Sequence, residues 1–240
     1  MWMLALETAT PAASVALLND DQVVVEHHER SRRRHAESVV PTIEALLKEQ
    51  GLKPADLGAV ACGRGPGSFT GLRIGLSTAK GLAQALGLPL ITVSTLDTLA
   101  AAVFFPDGLV APLLDAKQGH IYVAFYEGIE NMGSCVRPAS GYLALRPAEV
   151  AAEAARLTAG REVTVCGDGA PLVREALAAA GVTVRELPPA FNYPRAGVLG
   201  RLALARLGRG VSGDPAAAEP LYVRRAAAEL AREAEHGTCS

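Results

Sequence analysis

Residues 62–83 read CGRGPGSFTGLRIGLSTAKGLA. The apolar run Leu57–Cys62 that leads into them has strand character, and from about residue 70 the apolar spacing is helical. A strand, a glycine-rich turn and a helix is how many proteins cradle a phosphate on backbone N–H groups. Both nucleotide templates fail here. A P-loop needs G-x-x-x-x-G-K-[ST], but Lys80 is followed by Gly81 and lies deep inside the helix. A dinucleotide fingerprint needs G-x-G-x-x-G, but after Gly65 and Gly67 the last place is held by Thr70. Gly65, Pro66 and Gly67 therefore read as a tight turn, with Ser68 or Thr70 as the helix cap.

Gly71, Gly75, Ala79 and Ala83 recur at every fourth residue of that helix and share one face. A glycine in a helix interior costs about 1 kcal/mol relative to alanine. Two on one stripe imply a close neighbour that compensates, and helix–helix packing is favoured over ligand contact. The spacing leaves open whether the neighbour belongs to this chain. An adjoining stripe, Arg73, Ser77, Lys80 and Gln84, is polar.

Outward from this segment the pattern repeats. Leu4–Leu6, Ser14–Leu18 and Val23–Glu26 read as a three-stranded antiparallel meander. Val39, Val40, Ile43, Leu46 and Leu47 have helical spacing, Gly51 stops that helix, and Pro41 fits only in its first turn. Leu90–Val93 is a strand, and Ser94 caps a third helix. FFPDG at 104–108 reads as a turn and marks a boundary. The second half opens in the same style with strands at Leu109–Asp115, Ile121–Glu127 and Tyr142–Leu145. It continues with helix from Pro147, strand Val163–Cys166, helix to Ala180, strand Val182–Val184 and helix from Pro194. Three antiparallel strands followed by alternating helices and strands thus occur twice. The division expected is 1–106, 107–225 and a tail at 226–240.

The 240 residues are half apolar, enough for a sizeable core. A net charge of −2 argues against a broadly basic nucleic-acid surface. Cys62, Cys135, Cys166 and Cys239 form no Cys-x-x-Cys pair and suit a reducing compartment. The start, MWMLALETAT, lacks a basic segment and meets Glu7 early, so no signal peptide is read. No apolar run is long enough for a membrane span. A cytoplasmic protein is expected.

Further candidates are weak taken singly. The ETAT turn, with Thr8 and Thr10, could meet a nucleotide phosphate, but reads as local hydrogen bonding. GDGA offers Gly167 and Gly169 between strand and helix, yet Asp168 brings a charge that repels phosphate. Asp115 ends a strand before AKQGH without identifiable partners. The basic run Arg30–His35 reads as a solvated loop. The histidines form no i, i+4 zinc pair, and no G-x-S-x-G elbow occurs.

LALETAT with SVALLND, RHAESVVPTIEALL, GRGPGSFTGLRIGLSTAKGLA, ITVSTLDTLA, LLDAKQGHIYVAFYE and AEPLYVRRA at 218–226 together resemble the TsaB (YeaZ) family of tRNA threonylcarbamoyladenosine proteins. The segments span almost the whole chain in the family's order, and GPGSFTGLRIG is highly specific to it. Glu7 stands where the family usually has Asp, and the tail beyond about Ala226 lies outside it. The resemblance implies an α/β fold of the actin/Hsp70/sugar-kinase class: two tandem ribonuclease-H-like subdomains, each with a mixed sheet and flanking helices.

It also implies a non-catalytic scaffold subunit that pairs with the related transferase TsaD. Together they support N6-threonylcarbamoylation of adenosine 37 in tRNAs reading ANN codons. TsaE joins the larger complex, a homodimer forms when the chain is alone, and tRNA is met only through the complex. No membrane, cofactor or metal is implied. TsaD carries an H-x-x-x-H metal pair, and aligned through GLSTAKGLA and VST its places fall on Thr95 and Leu99. The partner surface implied lies on the helices at about 36–50 and 70–86. Its residues would be His35, Glu37, Val40, Ile43, Leu47, Gly71, Leu72, Arg73, Gly75, Leu76 and Ala79. Thr8, Thr10, Asp115, Gly167 and Gly169 would be vestiges of nucleotide loops. The rival readings are an active ATP-dependent phosphotransferase of the same fold and a metallopeptidase-like protein.

Overall fold

A computed structural model describes residues 1–30, 35–103, 105–129, 136–211 and 213–223. The first sheet contains β1 (Trp2–Glu7), β2 (Ala12–Asn19), β3 (Gln22–Arg30), β4 (Leu57–Gly63) and β5 (Leu90–Val93), in the order β3-β2-β1-β4-β5. The first three pair antiparallel; β1, β4 and β5 run parallel. Side chains alternate between two buried faces. Leu4, Leu6, Val15, Leu17, Val60 and Cys62 point to one, and Met3, Ala5, Ala16, Leu18, Ala59 and Ala61 to the other. Burial on both faces is why these strands read as continuous apolar runs.

Helices α1 (His35–Glu49) and α2 (Phe69–Leu86) cover the first face. Each leads back into a parallel strand, so both start at the carboxyl end of the sheet. Ser68 caps α2 by accepting from the Gly71 N–H at 3.3 Å. Gly51 ends α1 at φ 67°, with the Leu52 N–H bonded to the Leu47 carbonyl at 2.8 Å. Pro41 is not in the first turn, as the sequence suggested, but inside α1. Its missing N–H is tolerated because Val39, Ile43, Leu46 and Leu47 anchor the helix on the core.

The second sheet repeats the plan with β6 (Phe105–Asp115), β7 (Ile121–Val123), β8 (Tyr126–Ile129), β9 (Arg137–Pro138), β10 (Leu143–Leu145), β11 (Val163–Cys166) and β12 (Val184–Glu186). Its order is β10-β7-β6-β11-β12, with β8 also on β6 and β9 on β8. α4 (Pro147–Thr158) and α5 (Ala170–Ala179) pack on one face. α3 (Thr95–Ala101), capped by the Ser94 hydroxyl, packs against the other. Three antiparallel strands followed by alternating helices and strands thus occur in both sheets, the doubled α/β plan expected from the sequence.

Two expectations need correction. Residues 105–108 are no chain-reversing turn: β6 includes them, and Gly108, at φ 94°, lies where the register shifts against β8, while residue 104 lies outside the described residues. Phe105 pairs with Ile129 and Leu109 with Glu127 of β8, so residues 106–108 form an irregularity within the ladder and the chain does not reverse at Asp-Gly. Nor does 107–225 pack as one body. α6 (Ala196–Gly208) covers the second face of the first sheet through Leu199, Leu202 and Ala203. Beyond it the Leu90 N–H donates to the Gly213 carbonyl at 3.2 Å. The halves are also tied through buried Asp97, which accepts from the Tyr126 and Tyr142 hydroxyls and from Arg206 at 2.8–2.9 Å. The tail at 226–240, Cys135 and Cys239 lie outside the described residues.

Candidate partner-docking face and the filled turns behind it

The glycines of the opening segment make room for this chain's own backbone. A methyl on Gly67 would stand 2.2 Å from the Ala9 carbonyl oxygen. On Gly71 it would stand 2.1 Å from the Thr8 carbonyl oxygen, and on Gly75 2.2 Å from Thr8 Oγ1. The β1–β2 turn is thus seated on the first turns of α2. The Thr8 hydroxyl donates to the Gly71 carbonyl at 2.8 Å, and the Ser68 N–H donates to the Ala9 carbonyl at 2.7 Å. Gly65, at φ 101°, admits the Leu221 carbonyl oxygen, while the Leu221 N–H donates to the Arg64 carbonyl at 2.6 Å.

The small-residue stripe therefore does not set the approach of a partner helix. Gly71 and Gly75 meet Thr8, and Ala79 is buried in this chain's core. Leu72, Leu76, Ile43 and Leu47 are likewise buried, at 1–5% exposure, and cannot form a surface. A period of four reports a close neighbour but not which one; here it is a strand-to-strand turn. Of the residues expected at an interface, Glu37, Val40 and Arg73 are exposed, Val40 at 47%. The side chain of His35 and the run Ser31–Arg34 lie outside the described residues.

Two exposed residues were missed. Phe69 is 39% exposed and Tyr222 45%. Their rings stack with centroids 5.5 Å apart, and the Arg73 guanidinium lies 3.9 Å from the Phe69 centroid. The Phe69–Arg73 half was visible as an i, i+4 helical pair. The Tyr222 half depends on a chain reversal that no local pattern records.

Behind this face the turns that could hold phosphate are filled. Glu7 is wholly buried. Its carboxylate accepts from the Ala9 N–H at 2.8 Å and the Thr95 hydroxyl at 3.3 Å. A methyl on Gly63 would fall 2.3 Å from Glu7 Oε2. Burial pushes the Glu7 carboxyl up to about 7. Burial and the nearby Glu7 raise the Cys62 thiol as well. Thr10 donates to the Ala12 carbonyl at 3.2 Å.

In the second half the Lys117 N–H donates to Asp115 and the Asp115 N–H to Asp168, at 2.8 and 3.1 Å. The Lys117 ammonium pairs with Asp115. Burial raises the Asp168 carboxyl above its ordinary value. Gly167, at φ 97°, and Gly169 lie against the Leu113 backbone, where a methyl on Gly167 would be 2.1 Å from its carbonyl oxygen. In the ETAT and AKQGH turns backbone N–H groups already bond carboxylates, in the GDGA turn the Gly169 N–H bonds the Leu113 carbonyl, and all three turns carry acidic side chains that repel a bare phosphate.

Thr95, as noted, bonds Glu7, and Leu99 is buried between the halves. Among the described residues, no three His, Cys, Asp or Glu side chains gather as a metal ligand set. No described helix is long and apolar enough to cross a membrane.

The family model for TsaD, tRNA N6-adenosine threonylcarbamoyltransferase, matches residues 25–232. YeaZ from Pseudomonas aeruginosa superposes with a TM-score of 0.76 at 30% identity, over 92% of this chain and 99% of that one. The chain belongs to the TsaB/YeaZ family. A second P. aeruginosa structure, of a protein described as similar to peptidase YeaZ, gives a TM-score of 0.79 at 32% identity over 93% and 99% of the two chains. The tRNA threonylcarbamoyladenosine biosynthesis protein TsaB of Escherichia coli is 44% identical over 133 residues, 55% of this chain. That match spans 57% of the length of the E. coli protein.

Proposed function

We propose that this TsaB/YeaZ chain is a non-catalytic scaffold subunit in the cytoplasmic machinery that places threonylcarbamoyl on adenosine 37 of tRNAs reading ANN codons. It docks on TsaD through the exposed faces of α1 and α2, with Glu37, Val40 and Arg73 in the contact. His35, which opens α1, belongs to the same contact. TsaE joins the resulting complex, tRNA is met through it, and a homodimer forms in the absence of TsaD.

The observation that carries this reading is the contrast between the filled turns and the open helices. Glu7, Thr8, Asp115 and Asp168 are engaged in hydrogen bonds within the turns that the sequence offered as nucleotide loops. Val40 and Phe69 stand exposed on two neighbouring helices that start at the same end of one sheet. The family name of the E. coli relative supplies the pathway.

The test mixes purified chain with TsaD of the same organism and measures complex formation and tRNA modification, with and without this chain. A stable complex and modification that depends on the chain are expected. Modification by TsaD at full rate without the chain, or ATP turnover by the chain alone, refutes the reading.

A further inference from the structure

The docking face is not confined to the two helices. Tyr222 belongs to a C-terminal segment that crosses back over the glycine turn. There the Leu221 N–H bonds the Arg64 carbonyl and the Leu221 carbonyl fills the space above Gly65. The segment thereby carries the Tyr222 ring onto Phe69, at the end of the sheet where α1 and α2 begin. Arg73 covers Phe69 as well. The result is one ordered cluster of cation and two rings, built from two residues of α2 and one distant in the sequence.

Three features of this cluster suit contact with a partner. Phe69 and Tyr222 remain substantially exposed although they stack. Arg73 forms no ion pair with a carboxylate among the described residues. The side chains are held against one another before anything binds, so little rotamer freedom is left to lose on association. Tyrosine and arginine in a preformed cluster are the composition of an interface hot spot.

We infer that Phe69, Arg73 and Tyr222 form a single anchor of the docking face, matched on the partner protein by a carboxylate opposite Arg73 and an apolar side chain against the Tyr222 ring. The inference rests on the reading of α1 and α2 as the face that meets TsaD, and it adds the C-terminal segment to that face. It also gives the segment a purpose: ordering residues 219–223 presents Tyr222.

The test measures the affinity of the full chain for TsaD of the same organism by calorimetry. The variants are Tyr222→Ser, Arg73→Glu and Val40→Asp, each first confirmed to unfold at the wild-type temperature. Arg73→Gln replaces Arg73→Glu if that variant fails to fold. Binding of labelled tRNA by the chain is followed in parallel. Tyr222→Ser is expected to weaken TsaD binding by about tenfold, and Arg73→Glu by more, with a shallower dependence on salt.

Wild-type affinity in both variants, with binding lost in Val40→Asp, overturns the anchor and leaves the docking reading standing. Wild-type affinity in all three overturns the docking reading too, as does failure of the unaltered chain to bind. Unchanged TsaD binding with loss of tRNA binding in Tyr222→Ser means that the ring stacks on a base, which also overturns the inference.

Discussion

Glu7→Gln is expected to remove a specific pH dependence of stability. The native carboxyl titrates near 7 because it is wholly buried, against an ordinary value of 4.5. Between those values the folded chain holds a proton that the unfolded chain has released. Stability from this group is therefore fully present below pH 4.5 and is lost as pH rises through 7. A separation of about 2.5 pH units at 1.36 kcal/mol per unit amounts to about 3 kcal/mol.

Glutamine keeps the acceptor for the Ala9 N–H and turns an amide toward Thr95, with no charge to titrate. The other carboxylates, including Asp168, titrate in both proteins and cancel in the difference. Urea unfolding at several pH values from 4.5 to 8.5 is the assay. The stability of the variant relative to wild type should rise by about 3 kcal/mol across that range. A difference that stays constant with pH would refute the argument that burial holds Glu7 protonated.

Gly71→Ala should destabilise by more than about 2 kcal/mol, because its methyl meets the backbone of Thr8 rather than a movable side chain. Gly81→Ala, on the same helix with open space around it, should stabilise by up to about 1 kcal/mol; chemical denaturation of the pair reads both signs. Asp97→Ala should cost about 3 kcal/mol or more in the same assay, since it strands the Arg206 cation and removes the acceptor of two tyrosines. Val40→Asp, at an exposed position, should leave the melting temperature unchanged while abolishing co-elution with TsaD in size-exclusion chromatography.

The architecture was legible because its signals are local. Alternation and continuous apolar runs mark strands buried on both faces, and Ser68, Ser94 and Gly51 punctuate helices by their own hydrogen-bonding or conformational chemistry. The doubled order of elements followed from them. What misled was also local: FFPDG has the chemistry of a turn, but Phe105 and Leu109 both pair with β8, so the strand bulges at 106–108 and does not reverse.

The candidate site divides along the same line. The exposed Val40 and Arg73 were named from the sequence, and so was the need of Gly71 and Gly75 for a close neighbour. The sequence by itself pointed to a close neighbour of α2, because two glycines and two alanines recur on one stripe of the helix. Only the tertiary structure decided that the neighbour is the Thr8 turn, that Leu72, Leu76, Ile43 and Leu47 point inward, and that Tyr222 returns across the chain to stack on Phe69. Spacing along a helix specifies a face. What occupies that face depends on contacts between residues distant in the chain, which no periodicity encodes.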